Sequence, residues 1–203
     1  MIVLVRHGES EWNASDRFTG WADVPLTATG RAEARSTGRW LRAKGVVPTL
    51  VHTSLLDRAR TTAALVVEEC GDTRPPVVAT ALLNERHYGA LQGLVRSEAV
   101  ERFGADQVAR WRRTEVDLRP PPDGEGRGES LADLRARLTP YVDEMLLPAA
   151  RAGQVVLVVT HGNPLRLLVQ RLQGLGDREL AGLEHATGQA LLFDGVSELR
   201  RVG

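Results

Sequence analysis

The chain has 203 residues, with 26 Lys+Arg balanced by 26 Asp+Glu and 42% hydrophobic residues. That length suits one domain with a substantial core and is short for two, and zero net charge excludes the basic excess that generic nucleic-acid binders turn toward phosphates. The single cysteine, Cys70, excludes an intramolecular disulfide framework and a Cys-rich zinc or iron–sulfur site, which argues for a reducing compartment.

The elements follow in chain order. Met1–Val5 is an apolar run that stops at Arg6, too short for a signal-peptide core or a membrane span; no other uncharged stretch approaches spanning length, so a cytoplasmic chain with no membrane partner is expected. The run Ile2–Arg6 reads instead as a strand buried on both faces. Thr27 caps a predicted helix through Ala34, Trp40 and Leu41 that stops at Gly45, and a strand follows over Thr49–Thr53. Leu55–Cys70 reads as a second helix closed by Gly71, and Val77–Thr80 as a short strand. Leu82–Arg119 breaks this alternation with two short helices, Arg96–Phe103 and Ala105–Arg113, and the Pro- and Gly-rich stretch 119–129 is a surface loop. Ser130 caps a long helix to Ala152, disturbed at Pro140 and Pro148. Gln154–Thr160 is the second strongly apolar strand, a helix starts with Pro164 as its first residue, and strands near Gln189–Phe193 and Glu198–Val202 end the chain. Alternating helices and strands around two central parallel strands describe an α/β layered fold in a single domain, 1–203, with an insertion or lid around 82–129. Lys44 is the only lysine among the 26 basic residues, a bias that a GC-rich genome produces without functional consequence.

Both strong strands end alike. Val5-Arg6-His7-Gly8 closes the first and Thr160-His161-Gly162-Asn163 the last. Ligands of open α/β sheets bind outside the carboxyl ends of the strands, so the two His-Gly pairs are expected to face one site. A lone His-Gly is more often a hydrogen-bonded core or loop residue; two at equivalent strand ends are not. A metal fits poorly, because Arg6 is a fixed cation beside His7 and only Glu9 supplies a nearby carboxylate. Arginine beside histidine suits an anion, and Arg58 in the first turn of the helix from Leu55 adds a planar guanidinium to free helix amides. Arg60 next to it reads as a solvated helix residue.

Three blocks carry a family resemblance: Leu4-Val5-Arg6-His7-Gly8-Glu9-Ser10-Glu11-Trp12-Asn13, Arg17-Phe18-Thr19-Gly20-Trp21, and Leu83-Asn84-Glu85-Arg86-His87-Tyr88-Gly89-Ala90-Leu91-Gln92-Gly93-Leu94. Together they resemble the cofactor-dependent phosphoglycerate mutases of the histidine phosphatase superfamily over nearly the whole chain. The Arg-His-Gly triplet points only to the superfamily, whereas Glu85–Tyr88 and Trp111-Arg112-Arg113 are far more specific to the mutase branch. The resemblance implies a three-layer α/β/α sandwich with a mostly parallel central sheet and an isomerase of glycolysis and gluconeogenesis. It implies His7 as the nucleophile that becomes a phosphohistidine, Arg6, Arg58 and His161 around the transferring phosphoryl group, and Glu85 as general acid/base. Ser10, Asn13, Thr19, Gly20, Arg86, His87, Tyr88, Arg96, Arg112, Arg113, Gly162 and Asn163 would hold the rest of a small phosphorylated carboxylate. The implied cofactor is 2,3-bisphosphoglycerate as primer, with no metal and no nucleic-acid partner; a homodimer and a homotetramer both stay open.

The chain departs from that pattern. Arg96 stands where the mutases have a lysine, and a planar guanidinium does not replace a compact ammonium neutrally at a crowded anion site. The 119–129 loop is shorter than in the longer mutases, and the chain ends at Gly203 without their tail; a more open site admits water to a phosphohistidine. The rival activity is therefore a phosphomonoesterase of the same superfamily acting on a small phosphorylated metabolite. A non-catalytic phosphometabolite-binding module is the more distant rival, disfavoured because binding alone needs neither the nucleophile nor the acid.

Overall fold

The structure is a computed structural model that describes residues 1–71, 74–194 and 200–202, leaving the side chains of 113, 114 and 200–202 outside the description. Six strands, β1 (Ile2–Arg6), β2 (Leu50–Thr53), β3 (Val77–Ala79), β4 (Val156–Thr160), β5 (Ala190–Asp194) and β6 (Arg200–Val202), form one sheet in the order β3-β2-β4-β1-β5-β6. β3, β2, β4 and β1 are parallel, while β5 runs antiparallel to β1 and β6 antiparallel to β5. Nine α-helical segments are described: α1 (Glu11–Ala14), α2 (Ala28–Ala43), α3 (Asp57–Cys70), α4 (Arg96–Phe103), α5 (Ala105–Ala109), α6 (Leu131–Tyr141), α7 (Leu147–Arg151), α8 (Gly162–Gln173) and α9 (Asp177–Gly182). No helix among the described residues is long and apolar enough to cross a membrane.

The layers follow from the two-residue period of the strands. Ile2, Leu4, Val156, Val158, Leu191 and Phe193 enter one core with residues of α6 and α8, while Val3, Val5, Leu157, Val159 and Leu192 enter a second core with residues of α2 and α3. Both faces of β1 and β4 are thus covered, which is why their sequences are continuously apolar rather than alternating. This is the three-layer α/β/α arrangement. A third cluster, Leu91, Ala99, Val108 and Trp111 with Phe18 from the loop after α1, gives the 82–129 segment a small core that ties it to that loop.

The expected caps form. Thr27 Oγ1 accepts from the Gly30 amide at 3.0 Å, and Ser130 makes a reciprocal capping box with Asp133. The expected helix over 130–152 forms as a continuous helical run from 131 to 151, disturbed by a π-helical turn at Val142–Leu146, two residues after Pro140, which has no N–H to give. α8 starts at Gly162, so Pro164 is its third residue rather than its first; the chain passes from β4 through His161 directly into the helix, and a third-position N–H needs no helical partner. The short α1 and α9 were not expected, because four and six residues are too few for an apolar period and each depends on a cap, Ser10 with Asn13 and the Glu179 carboxylate on the Gly176 amide. Residues 195–199, which include the expected start of the last strand at Glu198, lie outside the described residues.

Candidate active site

β1 and β4 are neighbours paired with Arg6 opposite Thr160, so the residues that step off their ends come out side by side. The His7 amide donates to the Thr160 carbonyl at 2.9 Å, and the His7 and His161 rings meet edge to face with centroids 4.9 Å apart. The turn after His7 requires glycine by close approach. A Cβ on Gly8 would lie 2.2 Å from the Gly30 carbonyl oxygen, and one on Gly30 would lie 2.0 Å from the Glu9 carbonyl oxygen. This backbone contact seats the first turn of α2 against the His7 turn.

The protonation of His7 follows from its surroundings. Nδ1 lies 2.6 Å from the Gly8 carbonyl oxygen, which only accepts, so Nδ1 carries the proton. Burial first, then the charges of Arg58 and Arg6, hold the ring's pKa well below the ordinary histidine value. A neutral ring protonated on Nδ1 has a bare lone pair on Nε2. Arg58, in the first turn of α3, donates to the carbonyls of Ala22 (2.8 Å) and Gly20 (2.7 Å), which folds the Thr19–Asp23 loop over the site. Burial lowers its pKa to about 10, so it stays cationic at neutral pH. Arg6 donates to the His185 carbonyl at 2.6 Å, and the Nε of each arginine makes no hydrogen bond.

Glu85 approaches from the other side. Its Oε1 accepts from the Arg86 amide (2.7 Å) and from Nδ2 of Asn163 (3.0 Å), and Asn163 Nδ2 also donates to the Tyr88 hydroxyl at 2.9 Å. His7, Glu85 and Asn163 border one cavity of about 500 Å³. Arg6, Arg17, Arg58, Arg96, Arg112 and Arg166 stand in its wall against two carboxylates, Glu85 and Glu184, so the cavity is built for a polyanion. A sequence profile described as "Histidine phosphatase superfamily (branch 1)" matches residues 2–195.

The chain belongs to that family.

Among relatives, a 2,3-bisphosphoglycerate-dependent phosphoglycerate mutase from a Methylobacterium strain is 49% identical, the match covering 95% of this chain and 90% of that one. The protein of the same name from a Nocardioides strain is 44% identical over 95% of this chain and 85% of its own. Among solved structures, mycobacterial glucosyl-3-phosphoglycerate phosphatase superposes with a TM-score of 0.80 at 28% identity, covering 99% of this chain and 96% of that one. Bacillus stearothermophilus YhfR superposes with a TM-score of 0.78 at 28% identity, covering 98% and 94%.

Most of the expected site residues converge. Asn13, Thr19, Gly20 and Tyr88 join the cavity wall beside the arginines, Gly162 and Asn163 enter from the start of α8, and His161 packs behind His7. Three residues are held back from it. Ser10 is fully buried as the cap of α1, bonded to Asn13; Arg86 is fully buried with its guanidinium 4.6 Å from the Tyr88 ring; and His87 packs on Trp21, its Nδ1 accepting from the Gly89 amide at 3.1 Å. Arg96 reaches the wall but pairs with Asp16 at 2.9 Å. The side chain of Arg113 lies outside the described residues.

The scaffold beneath Glu85 has no signature in the local sequence. Arg137 on α6 donates to the carbonyls of Leu82 (2.6 Å), Asn84 (2.8 Å) and Glu85 (2.8 Å) while its Nε binds the Glu129 carboxylate at 2.8 Å. Trp21 Nε1 also donates to the Glu85 carbonyl, at 2.6 Å. Arg135, two positions before Arg137 in the same helix, is bound to Asp177 at the surface, and nothing in the local sequence separates the two arginines. Arg137→Leu strands several carbonyls and Glu129, so a loss of about 2–4 kcal/mol in denaturant unfolding is expected; stability within 0.5 kcal/mol of the parent would show these bonds to be replaceable by water, as at about that level surface changes are silent.

Acid stability also follows from the site. Burial lowers the pKa of His7, His161 and His52 in the fold, whereas the unfolded chain's histidines titrate near 6.5. Below about pH 6.5 the unfolded state takes up protons that the fold refuses, so stability is lost as pH falls from there and is insensitive to these groups above it. The melting temperature should decline steadily over about pH 6.5 to 5; a flat profile there would contradict the neutral, buried histidines.

Proposed function

We propose that this member of the histidine phosphatase superfamily is a 2,3-bisphosphoglycerate-dependent phosphoglycerate mutase, interconverting 3-phosphoglycerate and 2-phosphoglycerate through a phosphohistidine at His7. The observation that carries the reading is that a neutral His7 with a bare Nε2 shares one arginine-walled cavity with Glu85. The relatives of 44% and 49% identity that bear the mutase name support the substrate.

Nε2 of His7 attacks the phosphorus of the bound ester; a P–N bond forms as the bond from phosphorus to the substrate oxygen breaks, and the Glu85 carboxyl gives that oxygen its proton. On return the acceptor hydroxyl attacks phosphorus, the P–N bond breaks and Glu85 recovers the proton. Arg6, Arg58 and His161 lie around the transferring group, where catalysis is chiefly positioning and neutralisation of charge on the equatorial oxygens. Asn13, Thr19, Gly20, Tyr88, Gly162 and Asn163 border the rest of the substrate, with Arg96, Arg112 and Arg113 meeting its carboxylate and far phosphate; Ser10, Arg86 and His87 support them from behind. 2,3-Bisphosphoglycerate, when bound, supplies the phosphoryl group that loads His7. The residues suit it, since the six arginines of the wall exceed what one phosphate needs and Arg6 and Arg58 each keep an unpaired Nε. The 82–129 segment serves as the lid of a single 1–203 domain, bringing Glu85, Tyr88, Arg96 and Arg112 to the cavity wall. A time course with 3-phosphoglycerate, with and without 2,3-bisphosphoglycerate, tests the reading: primer-dependent 2-phosphoglycerate is expected, and free phosphate outrunning it would make the chain a phosphomonoesterase.

One observation favours some hydrolysis. Arg96 is 44% exposed and tied to Asp16, which is itself 59% exposed, so this side of the cavity is open to water and the arginine's charge is shared with the rim. Arg96→Lys releases the planar fork from Asp16 and restores a compact ammonium. The ratio of isomerisation to phosphate release should rise without either being abolished. An unchanged ratio with an unchanged KM for 3-phosphoglycerate would place Arg96 outside the reaction.

A further inference from the structure

Ser54 has no part in the reaction as described, yet it is fully buried directly against the site's second histidine. It stands just beyond the end of β2, and its Oγ lies 2.7 Å from Nε2 of His161 and 3.2 Å from the amide nitrogen of Leu56. The amide of Leu56 can only donate, so Oγ accepts there. The direction of the other bond follows by counting protons. If Nε2–H donated to Oγ, the hydroxyl proton would need a further acceptor, and among the described residues Ser54 has none. If the hydroxyl donates to Nε2, its proton and the lone pair that faces the Leu56 amide are both used.

We infer that Ser54 is a positioning residue that fixes the tautomer of His161, holding Nε2 as the acceptor so that the proton sits on Nδ1, ready to be donated to a phosphoryl oxygen on His7. Three observations converge on this. His161 Nδ1 is buried and makes no hydrogen bond, so in this tautomer it is a pre-placed donor awaiting an acceptor. The His161 ring lies against His7 at 4.9 Å between centroids, the place where that acceptor arrives. Burial first, then the charges of Arg58 and Arg6, hold His161 neutral, so the ring has one proton and its position matters. The two histidines are then the same tautomer put to opposite uses. In His7 the Gly8 carbonyl takes the Nδ1 proton and leaves Nε2 bare to attack; in His161 the Ser54 hydroxyl takes up Nε2 and leaves Nδ1–H free to donate. The inference rests on the phosphohistidine reading only for its purpose, since the tautomer itself belongs to the free protein.

The test separates the two. Long-range ¹H–¹⁵N spectra of the ¹⁵N-histidine-labelled protein, with the His161 signals assigned by their loss in His161→Asn, report which ring nitrogen carries the proton. Nδ1–H is expected in the parent, and a shift toward Nε2–H in Ser54→Ala. Loading of His7 by labelled 2,3-bisphosphoglycerate should slow about 10- to 100-fold in that variant, the scale lost when the partner that orients a metal-bound histidine is removed, with KM for 3-phosphoglycerate little changed. Ser54→Cys, close in size and still a weak donor, should give intermediate values and serves in place of Ser54→Ala should the latter fail to fold. Nε2–H at His161 in the parent protein, or a tautomer that neither substitution shifts, overturns the role of Ser54. A parent that shows Nδ1–H yet never takes up label leaves the tautomer assigned and overturns the phosphohistidine reading instead.

Discussion

His7→Ala should take up no acid-labile phosphoryl group from labelled 2,3-bisphosphoglycerate, where the parent should take up about one per chain, stable in base as a phosphoramidate is. Turnover should fall by roughly four or more orders of magnitude, the scale seen when a covalent nucleophile is removed and binding alone remains. The magnitude follows from how much of the site is arranged around this one ring. Gly8 fixes its proton, burial and two arginines keep it neutral, and the Gly8–Gly30 backbone contact sets its turn. Alanine keeps the turn and the arginines while removing the only nitrogen placed to bond to phosphorus. The variant should therefore fold and still bind 3-phosphoglycerate, which a calorimetric titration checks. Acid-labile label retained in His7→Ala would move the covalent step to another residue.

What the sequence made legible is what depends on local pattern. The continuous apolar runs of β1 and β4 identify central parallel strands, Thr27 and Ser130 identify helix starts, and the repeated His-Gly places two histidines at one edge of the sheet. The disturbance after Pro140 is legible in the sequence but its form as a π turn is not, because a missing N–H marks where the hydrogen-bond ladder is interrupted and not how the next turn closes. The residues that went unread act across the fold. Ser54 meets a partner 107 positions away, Arg137 meets carbonyls more than 50 positions away, and Asp16 pairs with Arg96 at the rim of the cavity from a distant stretch of chain. Each belongs to a type that is ordinarily a solvated surface or loop residue, so residue type and spacing give no sign of the contact. Ser10, Arg86 and His87 illustrate the converse. The family motif puts them beside the site in sequence, and the structure uses them to build the walls behind it.

Glu85→Gln isolates the proton from the architecture. The carboxylate's close contacts, from the Arg86 amide and Asn163 Nδ2, both fall on Oε1, whereas Oε2 receives only a 3.5 Å contact from the Asn163 amide. A glutamine can therefore put its amide oxygen in the place of Oε1 and turn its NH2 toward the less committed side, keeping the loop held by Arg137 and Trp21. What it cannot do is give a proton to the departing oxygen of the substrate or take one from the acceptor hydroxyl. Turnover should drop by roughly 100- to 10,000-fold, the range for a general acid/base, while the affinity for 3-phosphoglycerate and the melting temperature change little because the arginine wall is intact. The loss should appear in both half-reactions, since the same group serves the proton in each direction. If loading of His7 stays fast in Glu85→Gln and only the return to the acceptor hydroxyl slows, the leaving oxygen takes its proton from elsewhere and Glu85 acts as base alone. Unaltered turnover would remove it from the proton path altogether and leave it as the anchor of Asn163.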